Sequence, residues 1–305
     1  MIVTRSALVI GGGFIGRAAA ARLARSGWAV EQVTRAPTAP LAGVSRRTID
    51  YRTSEISSLL AGKDAVIFAT GEMIPATLPA DLAQAYVEQV APVIELAERA
   101  QRAGVARMVF VSSGGTVYGP AAPVPTDEDA ATHPANVYGF LKLQTEHALR
   151  FVSTRSGLST ISLRVANPYG TGQRSDRPLG FVTAVLDRAL AGEEIGIWGD
   201  GETTRDFVHI DDVARAIEAA AARTATHDVI NIGSGLETSL NTICALIAEV
   251  TGVAVRRTYF PPRAVDVRRS GLSIVRAAHD LDWRPAIALR DGIARMVAER
   301  AGGSA

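Results

Sequence analysis

The feature that most restricts the fold is the glycine run Gly11, Gly13 and Gly16. This G-x-G-x-x-G directly follows a short apolar stretch, residues 7–10, and opens an amphipathic one, residues 14–26. A strand that turns sharply into a helix needs glycine where the chain doubles back and where helix meets strand. In that setting Gly11 allows the tight turn, Gly13 lets the backbone approach a pyrophosphate, and Gly16 lets the helix pack on the strand. The amides of the first helical turn, at Phe14 and Ile15, then offer unpaired donors and a positive dipole end to phosphate.

The same rhythm continues through the first half of the chain. Short runs at residues 7–10, 29–33, 47–50, 65–69, 107–111 and 160–165, most of them largely apolar, predict strands, and amphipathic stretches at 14–26, 54–60, 80–103 and 135–156 predict helices. Alternation of this kind gives an α/β fold, a Rossmann-type doubly wound parallel sheet whose ligands lie at the carboxyl ends of the strands. Ala69, Thr70 and Gly71, at the end of the fourth strand, are expected on that edge beside the glycine loop. Residues 120–134 are Pro-rich and read as a loop.

After Asn167 the rhythm changes: a Gly- and Arg-rich segment, 170–180, precedes a helix at 181–191 and short strands near Ile195 and Phe207. The expected organisation is a dinucleotide-binding domain over 1–167, to which 206–235 returns through a helix (211–222) and a strand (229–232). Residues 168–305 mainly form a smaller substrate-binding domain. Asp211 and Asp212 read as a helix cap, His209 as packed or hydrogen-bonded, and Cys244 as core filler in the apolar stretch 240–250.

The end of the second strand chooses the cofactor. An acidic residue there would bond the ribose hydroxyls of NAD, whereas this chain has Thr34 and Arg35. Arginine favours a 2′-phosphate, so NADP(H) is the favoured cofactor. NAD(H) stays possible if the strand stops early and lets Glu31 grip the ribose.

Tyr138 and Lys142 are four residues apart in a stretch that reads as helical, so they share one face. A phenol with an ordinary pKa of about 10 carries protons poorly at neutral pH. A lysine ammonium and an oxidised nicotinamide beside it would favour phenolate and lower that pKa. The fifth strand opens into Ser112, Ser113, Gly114, Gly115 and Thr116, whose hydroxyls could hold the reacting oxygen of a substrate.

Taken together, these motifs resemble the extended short-chain dehydrogenase/reductase family of nucleotide-sugar epimerases, dehydratases and ketoreductases. The likeness is carried by Gly13-Phe14-Ile15-Gly16, by Ser112 through Gly119, by Tyr138-Gly139-Phe140-Leu141-Lys142 and by Asn167-Pro168-Tyr169-Gly170. It continues through Trp198-Gly199-Asp200-Gly201, Arg205-Asp206-Phe207-Val208-His209 and Asn231-Ile232-Gly233. The resemblance implies Tyr138 as acid/base with Lys142 as its tuner, both also touching the cofactor. It further implies that Asn167, Arg205 and Arg263 contact a substrate diphosphate, which suits guanidinium forks. Two positions depart from the family pattern. Gly114 stands where its catalytic Ser or Thr sits, so the partner hydroxyl must come from Thr116, Ser113 or Ser112, and Ile10 stands at the first glycine of the usual loop.

The expected reaction is NADPH-dependent reduction of a nucleotide-activated keto-sugar, with hydride transfer at C4 and Tyr138 as general acid. The alternatives are an NAD-dependent nucleotide-sugar 4-epimerase, a ketoreductase of a polyketide or aromatic ketone, and a dinucleotide sensor without turnover. A dehydratase fits less well, because Gly115 and Thr116 stand where that subgroup has Asp-Glu. The balance of 32 basic against 31 acidic residues gives no nucleic-acid footprint, and one cysteine makes no internal disulfide. No metal site, membrane span or signal peptide is expected, which points to a cytoplasmic protein, and the two long helices could pair in a homodimer.

Overall fold

Strand β1 (Ser6–Ile10) is buried on both faces, as the centre of a parallel sheet requires. The structure, a computed structural model, describes residues 4–53, 55–70, 81–120, 122–173, 180–263 and 267–302. After β1 come α1 (Phe14–Arg25), β2 (Ala29–Thr34), β3 (Val44–Thr48), α2 (Ile56–Leu60), β4 (Ala65–Phe68), α3 (Leu82–Gln89) and α4 (Ala91–Arg102). Then follow β5 (Arg107–Ser113), α5 (Val137–Arg155), β6 (Ser159–Val165), β7 (Asn167–Tyr169), α6 (Phe181–Leu190), β8 (Glu194–Trp198), β9 (Thr204–Arg205) and β10 (Phe207–His209). The chain closes with α7 (Ile210–Ala222), β11 (Val229–Ile232), β12 (Thr238–Ser239), α8 (Leu240–Thr251), β13 (Arg256–Phe260), α9 (Val275–Asp280) and α10 (Leu289–Gly302).

Seven strands form one sheet in the order β11-β6-β5-β4-β1-β2-β3, every pair parallel. Side chains alternate across it, so Ala7 and Val9 join the core under α1 and α7, while Leu8 and Ile10 join the core under α2 and α4. This is the Rossmann-type doubly wound arrangement. The order of the strands reverses between β1 and β4, which opens a crevice above their carboxyl ends.

Outside the main sheet, α6, α8, α10 and β8 enclose a core of their own, built on Val185, Leu186, Ile197, Ile243, Ile247, Ile293 and Met296. Cys244 is buried there as a free thiol. Between these elements the chain returns to the sheet: α7 packs on α1, and β11 extends the sheet beside β6.

Three expectations need correction. The stretch 80–103 holds two helices, because Pro92 falls in the first turn of α4 and has no amide to continue α3 through Val90. The third strand is Val44–Thr48 rather than 47–50; it is an edge strand, and its pairing with β2 rather than apolarity sets its bounds. Asp211 and Asp212 sit inside the first turn of α7, while the cap is His209, whose Nδ1 accepts the Asp211 amide at 3.2 Å. Asp212 is buried and instead accepts the amides of Ala286 and Ile287 at 3.1 and 3.0 Å.

Candidate active site

The glycine loop forms the floor of the crevice. Gly11 has φ +132°, and a Cβ on it would lie 2.5 Å from the Ala69 carbonyl oxygen, so Ala69 and Thr70 are pressed against the turn. A Cβ on Gly16 would fall 2.4 Å from the Gly11 carbonyl, which is why α1 can start so close to β1. Gly13 differs, since a Cβ there would meet no atom of the described residues within 4 Å. Its side of the loop opens onto space at the N-terminus of α1, where no side chain caps the helix and no acidic residue occupies the first turn. That opening has room for a dinucleotide pyrophosphate, which the amides of Gly13, Phe14 and Ile15 could hold. Gly71 lies outside the described residues.

Beside the loop, β2 runs through to Thr34, so Glu31 sits in mid-strand. Its carboxylate is taken by Arg47 at 3.2 Å and by Lys63 at 3.1 Å, and Lys63 precedes β4 at the opposite edge of the sheet. Glu31 therefore cannot serve the ribose as an early strand end would have allowed. Thr34 packs its methyl against Gly12, and its buried hydroxyl, like that of Thr38, has no partner among the described residues. Arg46 and Arg17 both donate to the Ala39 carbonyl, at 2.8 and 2.6 Å, and Arg35 stands exposed just past Thr34.

The candidate reacting groups come from β5 and α5. Asn136 caps α5 by accepting the Gly139 amide at 2.8 Å. A Cβ on Gly139 would lie 2.5 Å from the Thr116 carbonyl, so glycine lets the first turn of α5, which carries Tyr138, close on Thr116. Burial pushes the Tyr138 phenol up to about 12, and the Ser113 hydroxyl beside it pulls the other way. Lys142 donates to the Val111 carbonyl at 2.8 Å and lies 5.7 Å from the centre of the Tyr138 ring. Burial brings its ammonium down to about 8, against the opposing charge of Glu146. The lowered phenol pKa expected from the sequence is therefore absent in the protein alone. At neutral pH the site holds a protonated tyrosine beside a largely charged lysine.

Of the three candidate hydroxyls, the structure separates one from the others. Ser112 is buried and donates to Glu146, whereas Ser113 faces Tyr138 and the Thr116 hydroxyl has no partner among the described residues. Asn167 lies 4.0 Å from where a Gly115 side chain would begin, and its amide nitrogen donates to the Asp206 carbonyl at 3.0 Å. Arg205, the residue before Asp206, donates to the Val267 carbonyl at 2.6 Å. Arg263 stacks on the exposed Trp198 ring, 3.6 Å from its centre. Asp206 itself is fully buried and accepts Ser234 N and Oγ at 2.6 and 2.7 Å, and Gly235 N and Leu272 N at 3.2 Å each.

Sequence reasoning missed Asp206, Glu146 and Arg164. Two signals pointed to the last two: a glutamate one further turn along the Tyr138–Lys142 face, and a charged residue inside the run 160–165. Among the described residues no group of His, Cys, Asp or Glu could hold a metal ion, and no helix is long and apolar enough to cross a membrane.

Comparison with known proteins places these features. Residues 7–233 match the model of the NAD dependent epimerase/dehydratase family. The chain is 38% identical over 204 residues to a UDP-glucose 4-epimerase of Mycolicibacterium smegmatis, covering 67% of this chain and 65% of that protein. Thus it spans just under two thirds of the length of the first curated relatives it matches. It is 32% identical over 303 residues to dTDP-6-deoxy-L-talose 4-dehydrogenase (NAD(P)(+)) of Kitasatospora kifunensis, covering 95% of this chain and 93% of that one. The crystal structure of a Thermotoga maritima UDP-glucose 4-epimerase with UDP-glucose superposes with a TM-score of 0.90 at 31% identity, over 98% of this chain and 100% of the other. Glycine loop, strand order, tyrosine–lysine helix and relatives agree: the chain belongs to the NAD dependent epimerase/dehydratase family of extended short-chain dehydrogenases/reductases, whose enzymes work on NAD(P).

Proposed function

We propose that this chain reduces a nucleotide-activated keto-deoxysugar at C4 with NADPH, with Tyr138 as the general acid. One observation carries the reading: the Tyr138 phenol and the Ser113 hydroxyl meet at the carboxyl end of β5, on the crevice that the glycine loop floors. A bound nicotinamide supplies the hydride. Tyr138, protonated at neutral pH, gives its proton to the C4 oxygen as that oxygen gains charge, and Ser113 and Thr116 hold the oxygen in place. Lys142 puts its positive charge near the phenolate left behind. Asn167, Arg205 and Arg263 bind the diphosphate end of the substrate, so the sugar is oriented toward Tyr138.

NADPH is favoured by what surrounds the end of β2. Arg35 follows Thr34 directly, two hydroxyls there have no partner among the described residues, Arg46 and Arg17 lie close by, and the acidic rival Glu31 is occupied at the other edge. The full-length similarity to a 4-dehydrogenase named for NAD(P)(+) supports the C4 position and accommodates NADPH. As to assembly, α3, α4 and α5 pack together and expose Leu82, Val87 and Phe151, which suits a homodimer formed through these helices.

A second reading is an NAD-dependent 4-epimerase, favoured by the 38% identity to the mycobacterial epimerase. One assay separates them. Protein purified without added cofactor should consume NADPH when given a nucleoside-diphosphate 4-keto-6-deoxysugar, and Tyr138→Phe should abolish this while leaving NADPH affinity nearly unchanged. Tightly bound NAD(H), with interconversion of UDP-glucose and its 4-epimer and no net cofactor use, would replace the reductase by the epimerase.

A further inference from the structure

Three residues of α5 that follow one another at four-residue intervals grip the last three residues of β5. Tyr138 meets Ser113, Lys142 Nζ donates to the Val111 carbonyl, and Glu146 accepts the Ser112 hydroxyl. Only the first two belong to the reaction as proposed. Glu146 is buried deeper than either, with its side chain 2% exposed, and it also receives a forked pair from Arg164: Nη2 at 2.7 Å and Nε at 3.1 Å. Arg164 lies on β6 directly opposite Ser112, so the ion pair ties β5, β6 and α5 at one point.

Such a pair is poorly explained by stability. Removing two charges from water costs as much as, or more than, their attraction returns, and apolar residues of similar size often serve the fold as well. The cost is concentrated one helical turn from Lys142 and one residue from Ser113. We propose that Glu146 is a positioning residue of the active site: clamped between Arg164 and Ser112, it locks the end of β5 against α5 and presents a negative charge to the Lys142 ammonium.

This rests on reading Tyr138 and Lys142 as the acid/base pair. The charged groups around the clamp are Lys142 on the same helix, Arg164 on β6, Tyr118 and Glu128 on the segment after β5, and Arg276 on α9. Asp129, His147, Arg150 and Asp228 line the adjoining cleft. Of these, Glu146 is the one whose charge acts on Lys142, and it opposes the fall that burial imposes. Removing the charge therefore lets the ammonium lose its proton at lower pH. Activity that depends on the ammonium must then fail earlier on the alkaline side.

The test measures kcat, KM, dinucleotide affinity and the pH profile of kcat for the intact chain and its variants, using NADPH and the 4-keto-6-deoxysugar nucleotide. Glu146→Gln should lower kcat about tenfold, leave KM and cofactor affinity within about twofold, and move the alkaline fall down by about half a pH unit or more. If the unpaired Arg164 prevents folding, Glu146→Gln/Arg164→Met removes both charges and should show the same displaced fall. Glu146→Asp keeps the charge and should retain the parental alkaline fall, with kcat several-fold lower because the shorter side chain loosens the tether. A folded Gln or double variant with the parental kcat and pH profile overturns the proposal, and so does an Asp variant whose profile moves as far as that of Gln. Tyr138→Phe separates the two levels: an active Phe variant removes the acid/base reading, whereas an inactive one beside a parental Glu146→Gln removes only the role of Glu146.

Discussion

Gly13→Ala should divide folding from cofactor binding. Gly13 has φ −80° and ψ −173°, a region alanine adopts without strain, and its Cβ would meet no atom of the described residues within 4 Å. Alanine is the poorer helix N-cap by up to about 1 kcal/mol, while restriction of the unfolded chain returns about 0.4–1 kcal/mol, so the two nearly cancel. Stability should stay within about 0.5 kcal/mol of the parent. The new methyl stands where a pyrophosphate must approach the loop. Losing even one hydrogen bond to a charged group, about 1.5–3 kcal/mol, weakens binding by about ten- to a hundredfold. Gly16→Ala provides the contrast, because its Cβ would lie 2.4 Å from the Gly11 carbonyl, backbone against backbone. α1 must then shift by about 1 Å at an overpacking cost of about 1–3 kcal/mol, so stability and affinity fall together. Urea titration alongside calorimetric titration with NADPH and NADH reads both quantities. A stable Gly13→Ala protein that binds both dinucleotides like the parent would refute the assignment of this loop to the cofactor.

Other outcomes are as definite. Arg35→Ser should weaken NADPH by about tenfold and leave NADH nearly unchanged, since a 2′-phosphate is the only difference between them; equal losses for both would remove Arg35 from cofactor choice. Asp206→Asn turns an NH2 donor toward amides that need an acceptor, with about 3 kcal/mol lost and the melting temperature lower by about 5–10 °C in a scanning calorimeter. An unchanged melting point would mean that those four contacts do not hold Ser234, Gly235 and Leu272 in place. With Lys142 brought down to about 8, kcat/KM should be flat below that pH and decline above it as the ammonium loses its proton, and a profile flat to pH 10 would contradict the requirement for its charge.

Sequence periodicity made the sheet legible because a strand buried on both faces must be apolar throughout, as residues 7–10, 65–68 and 108–111 are. β3 was misplaced because an edge strand carries no such mark: Ser45, Arg47 and Thr48 are exposed. Tyr138 and Lys142 could be paired from their spacing alone. Glu146 has the same spacing from Lys142, yet a lysine and a glutamate one turn apart read equally well as an exposed helix pair. What distinguishes it is Arg164, contributed by another strand, and no local pattern joins those two positions. The same holds for the hydroxyls of the 112–116 segment, where the neighbours set by pairing with β6 and by the approach of α5 decide which one is consumed inside the protein.

Because α7 lies on α1 and β11 forms the outer strand beside β6, the half that carries the glycine loop is completed only by chain made more than two hundred residues into synthesis. Cutting the protein after Asn167 would bare the apolar edge of β6 and the Ala19–Ala20 side of α1. To exchange the lobe built on α6, α8 and α10 for that of a relative, the graft would have to be spliced on either side of α7 and β11, leaving them behind as part of the host.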